Sequence, residues 1–262
     1  MRNVCKIIGC AAAAMLVLSP AQSEVIFEDD FMGDNVSGFD ALNWQWWIDL
    51  NTFVTEADDV PEHGPGVLAL GGDSGGTSHI GLEVDAVKQL TDYRVTVLWT
   101  DRLVNGESDD ADFHIGVRCQ EYDAENDFPS SCYEVEIDGD DNDSANEVPE
   151  DGPTSYHLFI RGGEAAVDND GNALDHAPRT EVPRPVANVW YWTVLEVEGF
   201  TIRSKHWPHG DEEPGWILEA EDLDQQFPQG GVRLGVWSGA AHVAYVAVET
   251  IESTPVSTWS LY

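Results

Sequence analysis

Apolar and polar residues alternate with a period of two along most of this chain, and Gly, Asp, Asn and Pro repeatedly interrupt the alternation. The pattern predicts strands over 24–31, 66–72, 78–84, 93–103, 112–120, 132–138, 155–163, 231–239 and 242–252. Two more, 189–199 and 200–207, form a hairpin that turns at Gly199, and 164–174 reads as a hairpin around Asp170-Gly171. The segment 43–50, "NWQWWIDL", fits either a strand or an aromatic loop. No stretch carries an apolar stripe at helical spacing. Short strands split by turn residues indicate an all-β fold, a sandwich or barrel of antiparallel sheets. There is no internal repeat and no linker, and the acidic stretch 138–153 reads as a long loop because strands of the same style flank it. The expectation is one domain over 24–262.

The first 23 residues stand apart from this pattern. Arg2 and Lys6 precede an apolar run over 7–18, and "SPAQS" follows with small residues at Ala21 and Ser23. This is the layout of a secretory signal, with an apolar run too short to span a bilayer. The chain is therefore expected to be secreted, to the extracellular space or periplasm, with no membrane span. Charge agrees with an exposed, wet life: 12 basic residues face 49 acidic ones, a formal net charge of −37. Such a surface repels nucleic acid and anionic lipid. Cys5 and Cys10 lie in the leader, which leaves Cys119 and Cys132 as an even pair in an exported protein, and a disulfide between them is expected.

The chemistry-bearing stretch is "CYEVEID" at 132–138. Alternation puts Glu134, Glu136 and Asp138 on one face and Tyr133, Val135 and Ile137 on the other. The same phasing turns Phe113, Ile115 and Val117 inward, leaving His114 and Arg118 with the polar set. Tyr156, Leu158 and Ile160 point inward, leaving His157 and Arg161 outward. If these strands are neighbours, one face carries His114, Arg118, Glu134, Glu136, His157 and Arg161. Three readings stand open: a solvated face of paired charges, a face that hydrogen-bonds sugar hydroxyls, and a catalytic carboxylate pair. The ten tryptophans bear on the second, since an indole can stack on a pyranose. Trp99, Trp190, Trp192 and Trp237 lie in strands and are expected between the sheets. Asp138, Asp140 and Asn142 begin like a calcium loop, but Asp143 and Pro149 stand where an EF-hand needs Gly and Glu.

"FEDDF" near the start, "WYWTVLEVEGFTIRSKHWPHGDEEPGW" at 190–216 and "GGVRLGVWSG" near the end resemble the concanavalin A-like lectin/glucanase superfamily. Arg203, Lys205, Trp207, Pro208, Gly210, Glu213, Pro214 and Trp216 carry that likeness. "GVRC…CYEVEID" also resembles secreted 3-keto-disaccharide hydrolase domains. The resemblance covers about 25–250 and implies a jelly roll of two curved sheets whose concave face holds carbohydrate. It implies a structural calcium at Glu28, Asp29 and Asp30, although Ala244 and Tyr245 stand where the last strand should supply aspartate; no other cofactor is required. Family 16 glycoside hydrolases of this fold use Glu-x-Asp-x-Glu on one strand, whereas Glu134, Glu136 and Asp138 read Glu-x-Glu-x-Asp. The resulting expectation is an exported carbohydrate-binding jelly roll. A glycoside hydrolase using Glu134, Glu136 or Asp138 is the alternative, and a non-catalytic adhesion module is a third.

Overall fold

The computed structural model describes residues 23–32, 44–48, 52–71, 76–104, 107–108, 112–120, 122–123, 128–129, 131–138, 153–162, 179–222, 224–236 and 239–251. The first strands are β1 (Val25–Asp29), β2 (Trp44–Ile48), β3 (Phe53–Glu56), β4 (Gly66–Leu70) and β5 (Ser78–Leu82). One helical turn, α1 (Asp85–Lys88), leads into β6 (Tyr93–Asp101). The short pairs β7 (Leu103–Val104) with β8 (Glu107–Ser108), and β10 (Tyr122–Asp123) with β11 (Phe128–Pro129), flank β9 (Phe113–Cys119). Then come β12 (Ser131–Asp138), β13 (Pro153–Gly162), β14 (Arg179–Pro183), β15 (Tyr191–Glu198) and β16 (Thr201–Pro208). The last are β17 (Leu218–Glu221), β18 (Gly231–Val236) and β19 (Ala241–Thr250).

These strands build two antiparallel sheets, the β-sandwich that the alternation predicts. One has seven strands in the order β14-β13-β12-β9-β18-β5-β2. The other has eight, ordered β17-β16-β15-β6-β19-β4-β3, with β1 beside the second half of β19. The long-range crossovers in both orders are those of a jelly roll rather than a meander. The segments 43–50 and 189–207 resolve accordingly: Trp44–Ile48 is a strand, and β15 and β16 form the expected hairpin. The proposed hairpin at 164–174 lies outside the described residues.

Each sheet turns one apolar face to the other. Val95, Val97, Trp99, Leu195, Val197, Val246 and Val248 meet Phe113, Ile115, Val117, Tyr133, Val135, Ile137 and Leu234, all without solvent exposure. Trp99 stacks on Phe113 at 4.2 Å and 18°, joining the two layers through ring contact. Trp190 and Trp192 depart from the expectation. They pack with Val67, Leu98 and Ala244 in a smaller cluster separate from the main core. Trp192 is in register with Leu98, one residue before Trp99, and therefore sits on the outer face.

Two bulges set the remaining geometry. In β9, Cys119 pairs with Gly231 but Val117 pairs with Val232, so Arg118 is an extra residue, and its φ of +50° lies in the left-handed region. In β19, Val243 pairs with Trp99 and Tyr245 with Leu98, leaving Ala244 as the extra residue.

Candidate functional site

Strands β13, β12 and β9 are neighbours, as the alternation argument requires. The register places Glu136 opposite both His157 and His114, and Glu134 opposite Gly116. Continuing across the sheet, His114 and His79 both pair with Gly235, while Gly116 and Gly81 both pair with Arg233. Because Tyr133, Val135, Leu234 and Ile80 fill the core, the residues between them must stand on the outer face.

The charged residues on this face form a chain. Glu134 Oε1 lies 2.5 Å from Arg233 Nη2 and 2.7 Å from His114 Nδ1. His114 Nε2 is 3.6 Å from Glu136 Oε1. Glu134 and Arg233 have no solvent exposure and His114 has 1%, whereas the Glu136 side chain is 18% exposed. The row is therefore not the open solvated face that paired surface charges would make. It is a buried Arg–Glu–His chain with one reachable carboxylate at its end. Burying an ion pair costs several kcal/mol of desolvation per ion, so its close geometry is what makes it tolerable. The carboxylate of Glu134 fixes which imidazole nitrogen of His114 faces it, leaving Nε2 for Glu136.

Glycines make room for this packing. A Cβ on Gly235 would sit 1.9 Å from His79 Nδ1, so the His79 ring lies directly over that backbone. A Cβ on Gly116 would meet Cys119 Sγ at 2.9 Å and Cys132 Sγ at 3.1 Å. The His79 and His114 rings are 6.0 Å apart and inclined at 70°.

Of the residues expected on this face, His114, Glu134 and Glu136 are brought together. His157 is in register beside Glu136, and Arg161 is opposite Cys132. Asp138 ends β12 opposite Ser155. Arg118 is a correction. The β9 bulge turns it to the other side, where Nη1 donates to Phe227 O at 2.8 Å and Nε to Thr91 O at 3.0 Å. Its backbone N–H donates to Tyr93 Oη at 2.6 Å, and its guanidinium lies 5.3 Å from the Phe200 ring centroid. Burial lowers its pKa from the ordinary arginine value, with Tyr133, Tyr93 and Asp92 opposing. Arg118 ties loops together, and among the described side chains it is Arg233 that pairs with Glu134 on the outer face. Arg233 and His79 were both legible, because "GVRLGV" and "SHIGL" put them on the polar phase of their strands.

The same bulge brings Cys119 to the side of Cys132. The two form a buried pair of thiols, and burial together with the neighbouring Cys132 raises the Cys119 pKa well above the usual thiol value.

Among the described residues, the acids of β1 are engaged in hydrogen bonds within the protein. Asp29 Oδ1 accepts from Phe31 N–H at 2.8 Å and Oδ2 from Trp44 Nε1 at 2.9 Å. Asp30 Oδ1 accepts from Met32 N–H, and Glu28 Oε2 accepts from the Tyr245 hydroxyl at 3.3 Å. Among the described residues, no three His, Cys, Asp or Glu side chains converge as metal ligands. The loop 139–150, the other acidic stretch, lies outside the described residues.

No known family model matches the sequence, and no curated protein is similar to it. Solved structures do resemble the fold. The exoplasmic/lumenal domain of VIP36 in its Ca2+-bound form superposes with a TM-score of 0.58 at 8% identity, over 87% of this chain and 90% of that one. Peanut lectin gives 0.52 at 13% identity, over 89% and 100%. A structure described with endo-acting O-glycanases of the human gut microbiota gives 0.51 at 10% identity, over 87% and 100%. The chain thus shares the two-sheet β-sandwich fold of these lectin structures. No helix among the described residues is long and apolar enough to cross a membrane.

Proposed function

We propose that this protein is an exported carbohydrate-binding β-sandwich that holds a glycan on the outer face of its seven-stranded sheet, at Glu136. The observation that carries this reading is the chain from buried Arg233 through Glu134 and His114 to the partly exposed Glu136. A fold that needed only stability could have placed apolar residues there without the desolvation cost. The chain holds the partly exposed carboxylate of Glu136 at the surface, an acceptor of the kind that sugar hydroxyls pair with. His157 is in register to extend the row. The fold neighbours support the substrate class, since the VIP36 domain is also known in Man-bound and Man3GlcNAc-bound forms.

Affinity gel electrophoresis against a panel of plant and marine polysaccharides tests the reading. Retardation by at least one glycan is expected, and Glu136→Ala should abolish it while leaving the unfolding midpoint near that of the parent. Retardation unchanged in Glu136→Ala would overturn the assignment to this face. No retardation anywhere on the panel would favour a non-catalytic adhesion module.

A second reading, glycoside hydrolysis including the 3-keto type, draws on the position of His114 between two carboxylates. In that reading Glu136 and His114 exchange the proton, and Glu134 only orients the ring, because it is fully buried and paired with Arg233. New reducing ends that disappear in Glu136→Gln would support the enzyme over the binder.

Export also bears on the thiols. In an oxidising compartment Cys119 and Cys132 should close a disulfide around the twelve residues between them, adding on the order of 3 kcal/mol of stability. Periplasmic or secreted protein should therefore show no free thiol after unfolding, and dithiothreitol should lower its denaturation midpoint. Two titratable thiols in exported material would refute the pairing.

A further inference from the structure

The connection between β3 and β4, residues 57–65, lies against the outer face of the eight-stranded sheet. Trp192 of β15, Leu98 of β6 and Tyr245 of β19 occupy one register row on that face. Ala57 and Val60 of the connection pack into the small apolar cluster of Val67, Leu98, Trp190 and Ala244. The connection thus keeps water from apolar residues that the main core does not cover. Its ends are tied by Ala57 N–H donating to Pro65 O at 2.8 Å. Within it Glu62 has a φ of +62°, a conformation that residues with side chains rarely adopt and that is retained where surrounding structure enforces it.

Arg102, just after β6, clasps this connection to the sheet. Nη2 donates to Asp59 Oδ1 at 3.0 Å and Nη1 to Asp59 Oδ2 at 3.3 Å, an end-on fork. Nη1 also donates to Asn188 Oδ1 at 2.5 Å, and Nε donates to His242 Nδ1 at 2.9 Å. A guanidinium offers no acceptor and keeps its proton, so Nδ1 is the acceptor and the imidazole is neutral, protonated on Nε2. The clasp closes only around an uncharged ring. In register, uncharged Thr100 and Ala69 flank His242, and the charges that act on it are Arg102 and Asp59. Burial, then Arg102, lower the His242 pKa to about 4, with Asp59 opposing. Burial presses the Asp59 pKa upward, but Arg102 outweighs it and the net shift is down, so this carboxylate is ionised at pH 5.

We propose that residues 57–65 form an acid-released strap, clasped to the sheet through Asp59, Arg102 and neutral His242. A proton on His242 sets an Nδ1–H and a second positive charge against Arg102 Nε–H, which turns the hydrogen bond into an opposition of two donors. The Asp59 fork is what holds Arg102 against the ring. Opening the strap frees the guanidinium to swing away and lets His242 take its proton in water, so falling pH favours the open form. The far end of the strap responds the other way. His63 stacks on Tyr245 at 4.4 Å and 16°, and Glu62 Oε2 is 3.8 Å from His209 Nε2. Protonating either imidazole strengthens those contacts. Release therefore starts at Asp59 and lifts Val60 from the apolar cluster. The strap lies on the sheet opposite Glu136 and is independent of the glycan reading.

Hydrogen–deuterium exchange of the intact protein between pH 8 and pH 5 tests the strap, with protection expressed relative to the intrinsic exchange rate at each pH. Protection of a peptide spanning 57–65 should fall about tenfold or more across that range, while a peptide from β6 keeps its own. His242→Gln, whose amide oxygen can still accept from Arg102 Nε, should hold the strap's protection level over the whole range. Asp59→Asn should lower that protection already at pH 8. Its unfolding midpoint should stay near the parent's, because the Asp59 side chain is 43% exposed. A flat profile in the parent, the same fall in His242→Gln, an equal fall in β6, or protection unchanged in Asp59→Asn would each overturn the proposal.

Discussion

Glu134→Ala should destabilise the protein by about 3–5 kcal/mol, a large part of the whole stability of an ordinary domain. Glu134 and Arg233 are both without solvent exposure and touch at 2.5 Å. Removing the carboxylate leaves a guanidinium buried with its counterion gone, and also takes away the partner of His114 Nδ1. Arginine cannot relieve the cost by giving up its proton. Nε and Nη1 of Arg233 have no hydrogen-bond partner among the described residues, so the Glu134 contact is the principal compensation for that charge. The double variant Glu134→Leu, Arg233→Met should recover most of the loss, because an apolar pair of similar volume carries no desolvation cost. Chemical denaturation of the parent, both single variants and the double gives the coupling energy directly. Additive single effects, or a Glu134→Ala midpoint equal to the parent's, would show that the pair is not buried together.

Alternation made much of this fold readable. The inward positions 113, 115, 117, 133, 135 and 137 all lie in the core, and the adjacency of β9, β12 and β13 follows from hairpin-like spacing of similar strands. The phase errors arise at bulges. Arg118 and Ala244 are ordinary residues at positions that shift the period by one, and nothing in their side chains announces it. Had the Arg118 position held glycine, its positive φ would have been foreseeable. The conflict in phase between Cys119 and Cys132 was the only sequence-level hint of that bulge, since facing thiols require a slip between Val117 and Cys119. Burial of the outer row could not be foreseen either. Alternation says which side a residue faces but not whether that side is covered, and Glu134 looks the same on paper in both cases. The tryptophans taught a related lesson. Trp99 fills the core, yet Trp192, on the other phase from β6's inward residues, packs outside it.

Acidification should unfold the protein through His206 as well as through its carboxylates. His206 lies on the inner face of β16, stacked on Tyr191 at 4.9 Å and close to Trp99 and Tyr156. Trp99 Nε1 donates to Thr193 Oγ1 at 2.9 Å, and the same hydroxyl shares a hydrogen bond with His206 Nδ1, also at 2.9 Å. Burial pulls the pKa down to about 3 from an ordinary 6.5. Between those values the unfolded chain binds a proton that the folded chain refuses, so stability rises with pH across the window and is complete above it. Lowering the pH from 7 to 4.5 should cost roughly 2–3 kcal/mol through this one group. His242 acts in the same direction, its pKa lowered to about 4 by burial and by Arg102. The carboxylates of a chain with net charge −37 lose repulsion over the same range, so the absolute curve mixes opposing effects. The comparison that isolates His206 is His206→Gln, which keeps an acceptor for Thr193 but cannot titrate. Its stability should fall less than the parent's between pH 7 and 4.5 by that same amount, and parallel profiles would mean that His206 takes up its proton without leaving the core.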